Sequence, residues 1–163
     1  MQKQGTKAKI LEFLIFHRNG TCLCDLEKFD EANKQNIINK VFTTSANKEN
    51  EHRYKLLYGM LFSMKSFVKT LSPSKTRDYL RSFSTSNYKL HYSEFINGLR
   101  FIFITTPLNI PDSNFYTGEL KNIHKNFYTP LISKNIFFEQ EEQIKNELFL
   151  EQVYMYICNL NNK

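Results

Sequence analysis

Two Asn-Gly dipeptides constrain the fold of this 163-residue chain more than any other feature. Asn19-Gly20 separates the run Ile10–His17 from Thr21–Leu26, and Asn97-Gly98 separates Tyr88–Phe95 from Leu99–Thr105. Asn-Gly between apolar runs is a hairpin signal, because a type I′ turn needs positive φ at two successive positions and these residue types tolerate it. Two hairpins far apart in the chain predict an antiparallel sheet. A weaker run, Leu80–Thr85, brings the strand count to five.

The strands differ in how they must be covered. Ile10–Phe16 is apolar on both faces, with Leu11, Phe13 and Ile15 on one and Leu14 and Phe16 on the other. Phe101–Ile104 is apolar on both faces too, so these two strands belong mid-sheet with helices on each side. Tyr88–Phe95 alternates, with Tyr88, Leu90 and Tyr92 opposite Lys89, His91 and Ser93, which suits a strand nearer the edge.

The segment Glu51–Leu71 reads as a helix with more than one buried side. Leu57, Leu61, Met64, Val68 and Leu71 form a core stripe at helical spacing. Tyr54, Tyr58 and Phe62 extend it on one flank, and Leu56, Met60 and Phe67 on the other. The apolar arc spans roughly 240°, against the roughly 100° that a surface helix needs. Small residues, Gly59, Ser63, Ser66 and Thr70, fill the rest of the wheel and permit close approach of another backbone.

Glu27–Asn50 is polar and weakly periodic, and reads as an inserted flexible loop with a short helical turn at Asn36–Phe42. Asp112 or Ser113 caps a helix carrying Tyr116, Leu120, Ile123, Phe127 and Leu131, which Pro130 kinks or stops near Thr129. A last helix over Glu139–Leu160 carries Ile144, Leu148, Met155 and Ile157, with Glu139, Glu141 and Glu142 as an acidic first turn. The organisation is a basic N-terminal extension (1–9) and one α/β (α+β) domain (10–163) with a polar insertion at about 27–50.

Composition narrows the function classes. No apolar run reaches the 18 or more residues that span a bilayer, and Met1–Lys9 is polar and basic, neither a secretory signal nor an anchor. Three cysteines, an odd count with no CxxC spacing, read as reduced thiols of a cytoplasmic protein, and no metal site is expected. The net charge is +6, but the basic residues are dispersed. The densest groups are Lys3, Lys7 and Lys9, and Lys65, Lys69, Lys75, Arg77 and Arg81. No nucleic-acid motif accompanies them, so acidic lipid headgroups are the secondary partner this charge suggests.

Catalytic chemistry finds no support. GxxxxGK[ST], GxGxxG and GxSxG are absent, so no phosphate cradle, cofactor site or nucleophile elbow is expected. His17, His52, His91 and His124 are scattered over different elements. The remaining signal is the helix, and it points to a subunit rather than an enzyme. Tyr54, Tyr58, Gly59, Phe62, Ser63 and Ser66 are the expected subunit interface. The alternative is cover from within the chain by the Glu27–Asn50 segment or the Ser72–Tyr79 loop.

Three blocks then carry a family resemblance: Phe16-His17-Arg18-Asn19-Gly20-Thr21-Cys22-Leu23, Tyr54-Lys55-Leu56-Leu57-Tyr58-Gly59-Met60-Leu61-Phe62-Ser63, and Thr85-Ser86-Asn87-Tyr88-Lys89-Leu90-His91-Tyr92. In this order, with Ser66-Phe67-Val68 and Leu71-Ser72-Pro73 trailing the second, they resemble the TRAPP complex subunit 1 family. The resemblance implies a longin-like (SNARE-like) domain, with strand order 2-1-5-4-3, one helix on one face and two on the other. It implies a non-catalytic subunit of a tethering complex in ER–Golgi vesicle transport, peripheral at both membranes. Its implied partners are other small TRAPP subunits, longin-like and Bet-type, and a Rab-family GTPase that meets the assembled complex. Another longin-like module, such as a small adaptor subunit or a longin SNARE, is the alternative; the missing C-terminal anchor disfavours the SNARE.

Overall fold

The computed structural model describes residues 8–43, 48–73, 79–107, 113–136 and 142–163. Side chains of residues 42, 43, 48, 49 and 113 lie outside that description. The elements run β1 (Ile10–Phe16), β2 (Cys22–Glu27), α1 (Lys34–Thr43), α2 (Lys48–Leu71), β3 (Ser82–Ser84), β4 (Lys89–Glu94), β5 (Arg100–Thr105), α3 (Ser113–Ile123) and α4 (Glu147–Asn162). The five strands form one antiparallel sheet in the order β2-β1-β5-β4-β3, which puts the two doubly apolar strands at its centre.

Both Asn-Gly sites are hairpins, but not of the two-residue type I′ form. Only the glycines take positive φ, Gly20 at 92° and Gly98 at 82°. Gly20 N–H donates to the His17 carbonyl (3.0 Å) while His17 N–H donates to Thr21 (2.9 Å). Gly98 and Phe95 repeat the pattern against Phe95 and Leu99, both at 2.9 Å. Each is a three-residue loop, a type I turn closed by a left-handed glycine. The asparagine contributes its side chain instead of its backbone: Asn19 Oδ1 accepts from Thr21 N–H and Asn97 Oδ1 from Leu99 N–H. The two tips touch, since a Cβ on Gly98 would lie 2.8 Å from Arg18 Cβ.

One face of the sheet carries α2. Leu14 and Phe16, Ile102, and Leu90 and Tyr92 bury against Leu61 and Leu80, with Leu57, Met64 and Val68 half-buried around them. The other face carries α3 with its continuation and α4, over Phe13, Ile15, Phe101 and Phe103. Aromatic edges link the layers without any tryptophan: Phe13 to Phe101 (5.8 Å), Phe101 to Tyr128 (5.5 Å) and Tyr128 to Phe149 (6.1 Å).

Several expectations are corrected. A register shift between Ile10 and Glu12 turns Leu11 outward, leaving it 40% exposed, and sets Ile10 on the face of Phe13 and Ile15, while Glu12 keeps to the α2 face with Leu14 and Phe16. Glu27–Asn50 is not a loop throughout. Asp30 caps a 3₁₀ turn (Glu31–Asn33) that leads into α1, and Ile38 buries in the core beside α4. Tyr154 ties the segment down by donating to the Lys28 carbonyl (2.6 Å) and accepting from Asp30 N–H (2.9 Å), and Lys34 pairs with Glu151. β4 does lie next to the edge strand, as its alternation suggests, and its polar side is buried all the same, because α3 covers His91 and Ser93.

Pro130 does not end its helix. From His124 to Ser133 the chain continues as a π-helix; Pro130 donates no backbone bond in either winding, but the wider one eases its ring past the carbonyl four residues back. Thr129 Oγ1 donates to the His124 carbonyl at 2.9 Å. The last helix starts at Glu147, capped by Asn146 Oδ1 on Phe149 N–H (2.9 Å), rather than at Glu139. Glu142 precedes it, and residues 139 and 141 lie outside the described residues. Ile144 is buried ahead of the helix, bonding Leu23 at the sheet edge (2.7 Å). Leu148 is 50% exposed, and Phe149, Leu150, Val153, Tyr154, Ile157 and Cys158 make the buried stripe.

Candidate interaction surface

Helix α2 meets the sheet through a short apolar seam edged by polar anchors. Arg53 forks onto both oxygens of Glu12 at 2.6 Å, and Tyr54 O–H donates to Asp25 Oδ2 at 2.5 Å. Tyr58 O–H donates to the Arg18 carbonyl in the first hairpin, and its ring lies 4.6 Å from the Arg100 guanidinium. Lys65 pairs with Glu94 at 2.5 Å, and Arg100 reaches the same carboxylate at 3.4 Å. Tyr54 and Tyr58 both set their rings 6.1 Å from Phe16. The sheet and its first hairpin hold the two hydroxyls, and Phe16 meets both rings; residues 44–47 and 74–78 of the two alternative covers lie outside the described residues.

Electrostatics mark the Glu12–Asp25–Arg53–Tyr54 corner. Burial, then the neighbouring Glu12 charge, pushes the Asp25 carboxyl up from its ordinary 3.8 to about 7. Its Oδ1 is buried without a hydrogen-bond partner among the described residues. Burial and the Asp25 contact raise the Tyr54 hydroxyl in turn. Glu12 is 8% exposed, so its two bonds from Arg53 neutralise a charge that has little access to water.

The outward side of α2 is apolar where a surface helix is polar. Leu56 is 62% exposed, Phe62 59%, Phe67 57% and Leu71 63%. At 100° per residue, Leu56, Phe67 and Leu71 with half-buried Met60 wall one side of a furrow floored by Gly59, Ser63, Ser66 and Thr70; Phe62 walls the other. A Cβ on Gly59 would meet nothing within 4 Å, so the chain's own packing does not require that glycine. The expected interface residues therefore divide. Gly59, Phe62, Ser63 and Ser66 lie together on the open face, whereas Tyr54 and Tyr58 spend their polar groups inside the chain. Leu71, read as core, belongs to the furrow wall. Leu56 and Phe67, read as a flank of the core, also belong to it. Their angular distance from Leu61 was the available signal.

The histidines sit in packing roles. His91 is buried with Nε2 3.2 Å from Thr105 Oγ1 and its ring 4.4 Å from Tyr116, and burial lowers it to about 4. His124 stacks on Phe95 at 3.8 Å. Among the described residues, no group of three or more His, Cys, Asp or Glu could hold a metal ion. No described helix is long and apolar enough to cross a membrane.

Comparison with known proteins agrees with this architecture. A family model described as the Sybindin-like family matches residues 10–160. Trafficking protein particle complex subunit 1 of Homo sapiens is 34% identical over 146 residues, covering 90% of each chain. Its Dictyostelium discoideum counterpart is 31% identical over 91% of this chain and 94% of that protein. Trafficking protein particle complex subunit BET5 of Saccharomyces cerevisiae is 30% identical over 85% and 84%. With nearly its full length matched, and with the longin-like sheet order and helix layers in place, the chain belongs to the Sybindin-like family.

Proposed function

We propose that the chain is a non-catalytic subunit of a trafficking protein particle complex and joins it through the outer furrow of α2. The observation that carries the reading is the exposed apolar wall beside a row of small residues. Each of Leu56, Phe67 and Leu71 leaves roughly 100 Å² in water, about 300 Å² together, within the range of the largest patch on a typical soluble monomer. The relatives' names as complex subunits support the same reading. In this role the assembly, not the chain, exchanges nucleotide on a Rab-family GTPase in ER–Golgi transport. It does so by binding the nucleotide-poor GTPase more tightly than the loaded one. The chain contributes part of the platform and is peripheral at both membranes, with its net positive charge favouring acidic headgroups.

Co-purification of the tagged chain from its own cells, read by mass spectrometry, tests this. Recovery of the other small complex subunits in comparable amounts is the expected result, with Leu56→Ser plus Phe67→Ser removing them and leaving a folded chain. Recovery of adaptor subunits instead would transfer the protein to another trafficking assembly. Reconstitution then checks the exchange step: the chain alone is expected to leave GTPase nucleotide release at its intrinsic rate, and the complete assembly to accelerate it.

A further inference from the structure

Among the described residues, the sheet's β3 edge stops short of the end of β4. β3 is three residues long and pairs only with Lys89, Leu90 and His91 of β4. The last contact along that edge is Tyr92 N–H donating to the Arg81 carbonyl at 2.9 Å. Phe95 bonds inward to Leu99, so by alternation Ser93 also faces β5, while the backbone N–H and C=O of Glu94 point outward, past the end of β3. No strand lies opposite them among the described residues. Beside this open edge runs a groove of about 610 Å³ between α2, the Tyr79–Arg81 segment and α3. Among the described residues three cations line it, Lys65, Arg81 and Lys121, against the single carboxylate of Glu94, which Lys65 and Arg100 already neutralise. Arg81 is held over the Tyr79 ring (5.0 Å) and by Asn114 (3.2 Å), and Lys121 forms no ion pair among the described residues.

We propose that this groove takes an extended acidic segment of a partner chain, which continues the sheet at Glu94 and sets alternate carboxylates against Arg81 and Lys121. An unpaired edge supplies main-chain bonds to an added strand, and side-chain pockets at a period of two supply selectivity. The groove lies away from the α2 furrow, so this docking is independent of the subunit interface proposed above. The test is fluorescence anisotropy on the full chain with a labelled dodecapeptide in which glutamate alternates with valine and threonine. Controls are its lysine counterpart and a version N-methylated at alternate residues. Binding of the acidic peptide only is expected, weakened about tenfold or more by Arg81→Glu plus Lys121→Glu, at up to roughly fivefold per exposed charge pair lost, with reversed charge preference. Circular dichroism of the variant verifies the fold. Equal binding of acidic and basic peptides, or none, overturns the proposal; undiminished binding of the N-methylated peptide overturns strand addition.

Discussion

Replacing Asp25 with Asn is expected to stabilise the protein at neutral and alkaline pH and to weaken it slightly in acid. The native carboxyl titrates near 7 rather than 3.8, because it is buried beside Glu12. The folded state therefore holds a proton that the unfolded chain has released, and stability present below pH 4 is lost as pH rises through 7. At about 1.36 kcal/mol per unit of pKa, the loss totals roughly 4 kcal/mol. An amide carries no charge and still accepts from Tyr54, but it leaves an NH₂ in the place of the unpartnered Oδ1, at a cost of about 1–2 kcal/mol. The stability difference should cross zero near pH 5, grow by about 1.4 kcal/mol per pH unit, and level off near 3 kcal/mol above pH 7. Urea unfolding of both proteins between pH 4.5 and 8.5 measures this difference directly. Taking the difference cancels His91, whose lowered pKa gives the opposite slope, with stability falling as pH drops from 6.5 towards 4. A pH-independent difference, or a variant weaker throughout the range, would falsify the buried-charge account of this corner.

Other perturbations test separate parts of the structure. Gly98→Ala should cost about 1–3 kcal/mol in thermal or urea unfolding, since it combines a φ of 82° with a Cβ 2.8 Å from Arg18. Tyr154→Phe removes the hydroxyl that serves Lys28 and Asp30 and should cost about 1–3 kcal/mol, with faster hydrogen exchange concentrated at Lys28–Asn33. Gly59→Ala should raise stability by about 1 kcal/mol through helix propensity. Gly59→Phe, whose Cβ starts from open space, should block assembly in co-purification while leaving the monomer folded.

The sheet was legible because its signals are local. Two Asn-Gly pairs and two doubly apolar strands place hairpins and centre, and these features are insensitive to what packs above them. The turn type was not legible, since Asn19 and Asn97 satisfy the loop with their side chains rather than with positive φ. Glu27–Asn50 looked unstructured because α1 buries few residues, and its order comes from Tyr154 and Glu151, more than a hundred positions away. Pro130 was misjudged for a related reason: a proline rule written for α-helices does not anticipate ten residues wound as a π-helix. In β4, alternation places the strand near the edge but does not reveal that His91 and Ser93 are covered, because polarity alone cannot distinguish water from a neighbouring Thr105 hydroxyl and Thr117 carbonyl.

Helix α2 shows why a wide apolar arc predicts an exposed apolar face without naming the residues on it. The arc mixes two populations that hydrophobicity does not separate. Tyr54 and Tyr58 lie towards the sheet and have polar ends that match groups already there, Asp25 and the Arg18 carbonyl. Leu56, Phe67 and Leu71 have no polar end to satisfy and no covering element on their side among the described residues. Amphipathic aromatics can close the edge of a seam because each brings its own hydrogen bond, whereas aliphatic residues outside that edge gain only from being covered. The small residues between Phe62 and Phe67 then acquire meaning by position. Gly59 weakens the helix, serves no turn and would meet nothing within 4 Å as alanine, so the chain's own packing gives it no use, and the assembly role proposed above is what would give it one.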